Sequence, residues 1–212
     1  MKRYLIVTAL WVATTAAHAG LSFQTSATTT RTEAFNGVAG LSTFAVGTGV
    51  DLGALLTDEQ GTVTFTYLGQ ESGYADSFHL MINGTDLFES QAVGTSVSAF
   101  VGTAGAINFK FEGNIGKFAQ NGGSLVPSSG WDSGTSIGKI AANTVGSGGA
   151  AGNYQFILGY NDSAGAATLG DWDDFVVGVN FTPAVPEPQT YALMLAGLAA
   201  IGFVARRRRS AP

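Results

Sequence analysis

Four aspartates and Asn161 crowd one segment, YNDSAGAATLGDWDDFVVGVNF, which runs from Tyr160 to Phe181; the aspartates are Asp162, Asp171, Asp173 and Asp174. Carboxylate and amide oxygens at this density suit a hard cation such as calcium, which takes roughly 6–8 oxygen ligands. Asp162, Asp171, Asp173 and Asp174 are the candidate ligands. The spacing is not that of an EF-hand, because D-x-[DN]-x-[DN]-G with a closing Glu is absent. On the residues alone a second account stays open, in which these acids cap turns and keep a strand end soluble. A second segment, YLGQESGYADSFHL, carries Glu71 and Asp76. Either acid completes a cation site if the two loops meet at one end of the fold. Otherwise the segment is a structural loop with Tyr74 and Phe78 packed inward.

Other chemistry is harder to assemble. The chain has no cysteine, which excludes disulfides, thiolate metal sites and cysteine nucleophiles. Of its two histidines, His18 lies in the N-terminal leader-like segment and His79 is left in the body, so a zinc site with several histidines is excluded. Ser-His-Asp hydrolysis needs a base within hydrogen-bond reach of a nucleophile, and no nucleophile-elbow motif accompanies His79. Carboxylate pairs for glycoside hydrolysis can be drawn from any acidic β-fold. Trp131 offers one side chain for stacking on a sugar, or simply pins its loop. The expectation is a non-enzymatic protein; the alternative is a secreted polysaccharide-binding domain, or a polysaccharide-active one using carboxylates.

The elements that hold these residues are strands. With 212 residues, 45% of them hydrophobic, 12% charged and 30 of them glycine, the chain has apolar material for one core in Gly-punctuated β-structure. Val63, Phe65 and Tyr67 alternate with Thr62, Thr64 and Thr66, and Ile107, Phe109 and Phe111 alternate with Asn108 and Lys110. Each run puts its apolar groups on one face. Further strands are expected at Leu21 to Thr25, Ser77 to Ile82, Ser96 to Val101, Tyr154 to Tyr160 and Phe175 to Phe181. Asn83-Gly84 supplies the positive φ angles of a tight hairpin turn. Leu52 to Asp58 reads as a helical turn, and the Gly/Ser-rich stretch 113–152 as a loop or insertion. About eight strands joined by Gly-rich turns favour an all-β fold, an antiparallel β-sandwich of jelly-roll-like type.

Both ends read as targeting segments. Lys2 and Arg3, an apolar run from Leu5 to Ala13, and Ala17-His18-Ala19 give a signal peptide over residues 1–19, cut by signal peptidase after Ala19. At the other end Tyr191 to Ala205 carries no charge. As a helix it rises roughly 22 Å, short of a bilayer core of about 30 Å. Arg206, Arg207, Arg208 and Arg209 help by snorkelling to headgroups and, by the positive-inside rule, stay cytoplasmic. A single short transmembrane helix therefore leaves the body outside the cytoplasmic membrane. That body, residues 20–184, has four basic side chains (Arg31, Lys110, Lys117, Lys139) against fourteen acids, all fifteen of the chain except Glu187. Its net charge is −10 where the whole chain stands at −5. Nucleic acid is excluded as a partner, since phosphate binding needs concentrated Lys and Arg.

Pro186-Glu187-Pro188, a short apolar helix and a terminal Arg cluster, together residues 185–210, resemble the PEP-CTERM sorting signal of Gram-negative bacteria that make exopolysaccharide. The resemblance implies processing near Pro186-Glu187-Pro188 by the membrane-embedded cysteine protease exosortase, then release or attachment at the cell surface, in an exopolysaccharide, biofilm or extracellular-matrix setting. Two prolines hold the motif extended for a protease to bind. The run Asp171-Trp172-Asp173-Asp174-Phe175-Val176 is similar to the D-x-D-x-N-D-[LF]-V stretch of a domain family common in secreted bacterial β-proteins, which implies calcium, although the Asn between the acids is lacking here. The stretch from Tyr67 to Phe78 resembles a recurrent Y-x-G-x-E-x-G-[FY]-x-[ND]-x-F pattern in exported proteins with the same sorting signal.

Overall fold

The computed structural model describes residues 20–30, 49–113, 118–121, 136–140, 144–145, 151–162, 172–184 and 188–209. The proposed signal peptide, Trp131, Asp171, Pro186 and Glu187 lie outside the described residues.

Alternation of apolar and hydroxyl side chains makes β3 (Gly61–Gly69) a one-faced strand, with Val63, Phe65 and Tyr67 buried and the threonines outward. β3 pairs on one side with β6 (Ser96–Val101) and on the other with β14 (Phe175–Pro183). Beyond β14 the sheet continues through β13 (Phe156–Asn161), β10 (Ser136–Ile140), β2 (Gly49–Thr57) and β1 (Leu21–Thr30), with the short β7 (Gly105–Ala106) also on β2. A four-stranded sheet runs β5 (Thr85–Phe88), β4 (Ser77–Leu80), β8 (Phe109–Glu112), β9 (Phe118–Asn121). β11 (Thr144–Val145) and β12 (Gly152–Asn153) form a separate pair. The pairings are antiparallel throughout.

The buried faces of the large and the four-stranded sheet contribute to one hydrophobic cluster. Aromatic rings join them: Phe65 of β3 lies 4.6 Å from Phe78 of β4, and Phe111 of β8 stacks on Tyr160 of β13 at 5.4 Å with the rings 4° from parallel. Such ring pairs add about 0.5–1.5 kcal/mol beyond their burial. Asn121 at the end of β9 ties the sheets through backbone: its Nδ2 donates to the carbonyls of Leu55 and Ile107, and its Oδ1 accepts from the N–H of Leu55 at 2.7 Å. β14 is buried from Phe175 through Val179. Gly178 must stay a glycine there, since a Cβ would sit 2.3 Å from the Tyr154 ring.

Four expectations need correction. Leu52 to Asp58 is no helical turn: β2 takes residues 49–57, because β1, β7 and β10 pair with it and tertiary pairing overrides the helical preference of Leu and Ala. Within the stretch 113–152, Ser136–Ile140 is a strand of the large sheet, inserted between β2 and β13. The hairpin closes earlier than Ile82, at Leu80↔Thr85, leaving a four-residue turn. In it Gly84 has φ +69° and Asn83 Oδ1 accepts from the Thr85 hydroxyl at 2.7 Å, the chemistry expected of Asn-Gly in a longer loop. Finally, the terminal helix α1 (Pro188–Arg209) starts within the sorting motif, so Pro188 is helical and not extended. Proline is tolerated in a first turn because its missing N–H would lack a partner there anyway.

Candidate functional site

Three chain segments converge at one end of the two sheets. The link from β3 to β4 delivers Ser72 and Asp76, the end of β13 delivers Tyr160 and Asp162, and the approach to β14 delivers Trp172, Asp173 and Asp174. Trp172 is 1% exposed, and this burial anchors the acids that follow it. Backbone bonds lock the loops together: the N–H of Glu71 donates to the carbonyl of Asp173 at 2.8 Å, and the N–H of Asp162 donates to Asp174 Oδ2 at 2.7 Å. The Ser72 hydroxyl donates to Asp162 Oδ2 at 3.0 Å.

The result is a trio of carboxyl groups from Asp76, Asp162 and Asp174, each offering an oxygen within 4.8 Å of the others. They are 2%, 5% and 6% exposed, respectively. Two ionised carboxylates about 5 Å apart repel by roughly 3–4 kcal/mol at an effective dielectric of ~20. Burial, and next the Asp162 charge, accordingly push the Asp76 carboxyl up to about 8. Ser72 lies close enough to ease the charge on Asp76, yet neither Asp76 oxygen has a hydrogen-bond partner among the described residues. The backbone N–H of Asp76 donates to Glu89 Oε1. Below the trio the Tyr160 hydroxyl is raised by burial and by the same three acids, and Tyr67 is pushed up to about 12 by burial with Glu89 and Asp76.

Of the acids singled out by composition, Asp162 and Asp174 therefore meet, with Asp76 added from the other loop. Asp173 is fully buried beside them but stands outside the trio, its carbonyl holding Glu71. Asp171 lies outside the described residues. Tyr74 is 57% exposed, against the expectation that it packs inward, while Phe78 is in the core. Ser72, Tyr160 and Gly113 were not legible as site residues. The signal for Gly113 is spatial: a Cβ there would lie 2.8 Å from Asp76 Oδ1 and 3.1 Å from the Tyr160 hydroxyl. A cleft of about 360 Å³, lined by Ala75, Asp76, Ser77, Phe88, Glu89 and Ser90, opens beside Asp76.

His79 has more company than its sequence setting suggested. On the outer face of β4, its Nε2 lies 2.9 Å from Ser77 Oγ and its Nδ1 lies 2.8 Å from Asp86 Oδ1. The signal was available: residues 77 and 79 share a face of a strand, and the hairpin register sets His79 opposite Asp86. The Ser77 hydroxyl has one proton and two acceptors in reach, Nε2 and the Glu112 carbonyl at 3.2 Å. Lys110 pairs with Glu112 next to it.

At the far end of the chain, α1 carries Leu193, Met194, Leu195, Leu198, Ile201 and Phe203 exposed, so its apolar side chains are not part of the core. No helix among the described residues is long and apolar enough to cross a membrane. The body is thus an antiparallel β-protein followed by an exposed, Arg-terminated helix. Residues 184–209 match the family model of the PEP-CTERM protein-sorting motif, which marks an exported protein directed to exosortase. No curated protein and no solved structure matches the chain.

Proposed function

We propose that the chain is a non-catalytic β-sandwich protein of the cell surface or extracellular matrix, serving a structural or binding role among exopolysaccharides. A signal peptide over residues 1–19 exports it. Before exosortase acts, the tail holds it in the cytoplasmic membrane with the body outside, Arg206 to Arg209 staying at the inner headgroups. The match of residues 184–209 to the sorting motif carries this proposal. The acidic body supports it, because a net charge of −10 keeps the protein soluble and apart from other polyanions unless cations bridge them. A platform of stacking aromatics finds less support, since Trp172, Tyr67, Tyr154 and Tyr160 are buried.

The test is mass spectrometry of the protein recovered from its producing cells. We expect an N-terminus at Gly20 and a C-terminus near Pro188, with deletion of residues 185–212 abolishing both processing and surface delivery. An intact Arg206–Arg209 end, with delivery unaffected by the deletion, overturns the proposal. One observation favours a second, hydrolytic function, namely Ser77, His79 and Asp86 in hydrogen-bonded sequence beside the cleft. An active-site fluorophosphonate decides it: labelling of the wild type that is lost in Ser77→Ala supports a serine hydrolase, and no labelling removes it.

A further inference from the structure

We propose that Asp76, Asp162 and Asp174 form a calcium site that clamps the loops of the two sheets together. Geometry comes first. Oxygens on a coordination shell of radius about 2.4 Å can lie no more than about 4.8 Å apart, and one oxygen from each of the three acids meets that limit against the other two. The second observation is independent of the clustering. Asp76 is 2% exposed and neither of its oxygens has a hydrogen-bond partner among the described residues. A carboxylate removed from water and left without donors lacks what normally compensates its burial. A cation supplies it.

The donor set selects the kind of ion. Three carboxylates, with the Ser72 hydroxyl already on Asp162, offer hard oxygen atoms and neither nitrogen nor sulfur. Bidentate binding by three acids gives up to about six oxygens, and water reaching through the cleft beside Asp76 completes a calcium shell. Magnesium demands a tighter octahedron and keeps most of its waters, which suits this buried trio less well. The consequence is mechanical: Asp76 leads into β4 of the four-stranded sheet, while Asp162 and Asp174 flank the β13–β14 connection of the large one. One ion therefore cross-links two sheets after export, and does so whether or not the tail is cleaved.

The experiment uses the full chain, purified in mild detergent and stripped with chelator. Calcium at about a hundredfold excess over its Kd should raise the Tm by about 5–10 °C, because it binds only the folded state. Magnesium at the same concentration should give less than half of that shift. Terbium, a calcium stand-in, should show emission sensitised by the Tyr160 ring and quenched when calcium displaces it. Asp76→Asn should abolish both the calcium shift and the terbium signal. Asp174→Asn tests the same points from the other loop should the first variant fail to fold. An unchanged Tm together with no sensitised emission in the wild type overturns the site. So does a calcium shift that survives in both variants, and an equal response to magnesium overturns the choice of ion.

Discussion

Asp76 and Ser77 are neighbours in the chain, yet they open onto two opposite electrostatic solutions. On the outer face of β4, acids and bases answer each other: His79 sits between Asp86 at 2.8 Å and Glu112 at 3.8 Å, and Glu112 is held by Lys110. Water reaches all of them, so each pair contributes little and costs little. On the inner side, Asp76 meets Asp162 and Asp174, all three buried and with no basic side chain in the trio. A charged row that neutralises itself needs nothing more. A buried trio of one sign needs a proton or a metal, and this asymmetry, more than the number of acids, separates a solvated face from a site.

That contrast can be broken from beneath the trio. Phe111→Ala removes the ring that stacks on Tyr160 and packs against Phe78, Phe109 and Phe175. It should cost about 3–5 kcal/mol in denaturant unfolding, and any calcium response should weaken with it, because Tyr160 and Asp162 share the end of β13. Gly113→Ala is a smaller probe of the same place. Its methyl group would press on Asp76 Oδ1 and the Tyr160 hydroxyl, so a loss of about 1–3 kcal/mol is expected from overpacking. A value near zero would mean that the trio has room to spare.

The outer row should yield the least. Asp86→Asn leaves the shape of the hairpin intact and removes a half-buried charge from His79, which should change stability by no more than about 1 kcal/mol. Chemical unfolding of this variant at low and high salt sharpens the comparison further. The difference from wild type should shrink as salt rises, because exposed pairs are screened within about 10 Å at 0.1 M. Any calcium shift of the melting temperature should be the same in Asp86→Asn as in wild type. A large loss of stability, or a lost calcium shift, would show that the two acidic groups act as one.

Much of this was written locally. Alternation in β3 and β8 announced their buried faces, Asn83-Gly84 announced a turn, and the density of acids from Asp162 to Asp174 announced an oxygen-rich loop. What resisted prediction involves distance along the chain. Ser72 and Asp162 are 90 residues apart and hydrogen-bonded, and no periodicity links them. β2 was misleading for the same reason, since Leu and Ala there have a helical preference that only partners on both sides override.

The tail, its motif and its charge pattern are properties of contiguous residues, and a linear read-out is sufficient for a signal that a protease and a membrane meet as a segment. Which acids share a site is another matter. Strand alternation sends neighbours to opposite faces, so Asp76 and Ser77 part company while Asp76 and Asp174 meet. Only the closing of two sheets over the Phe111–Tyr160 stack brings those carboxylates within 4.8 Å and buries the Asp76 oxygens with no hydrogen-bond partner among the described residues.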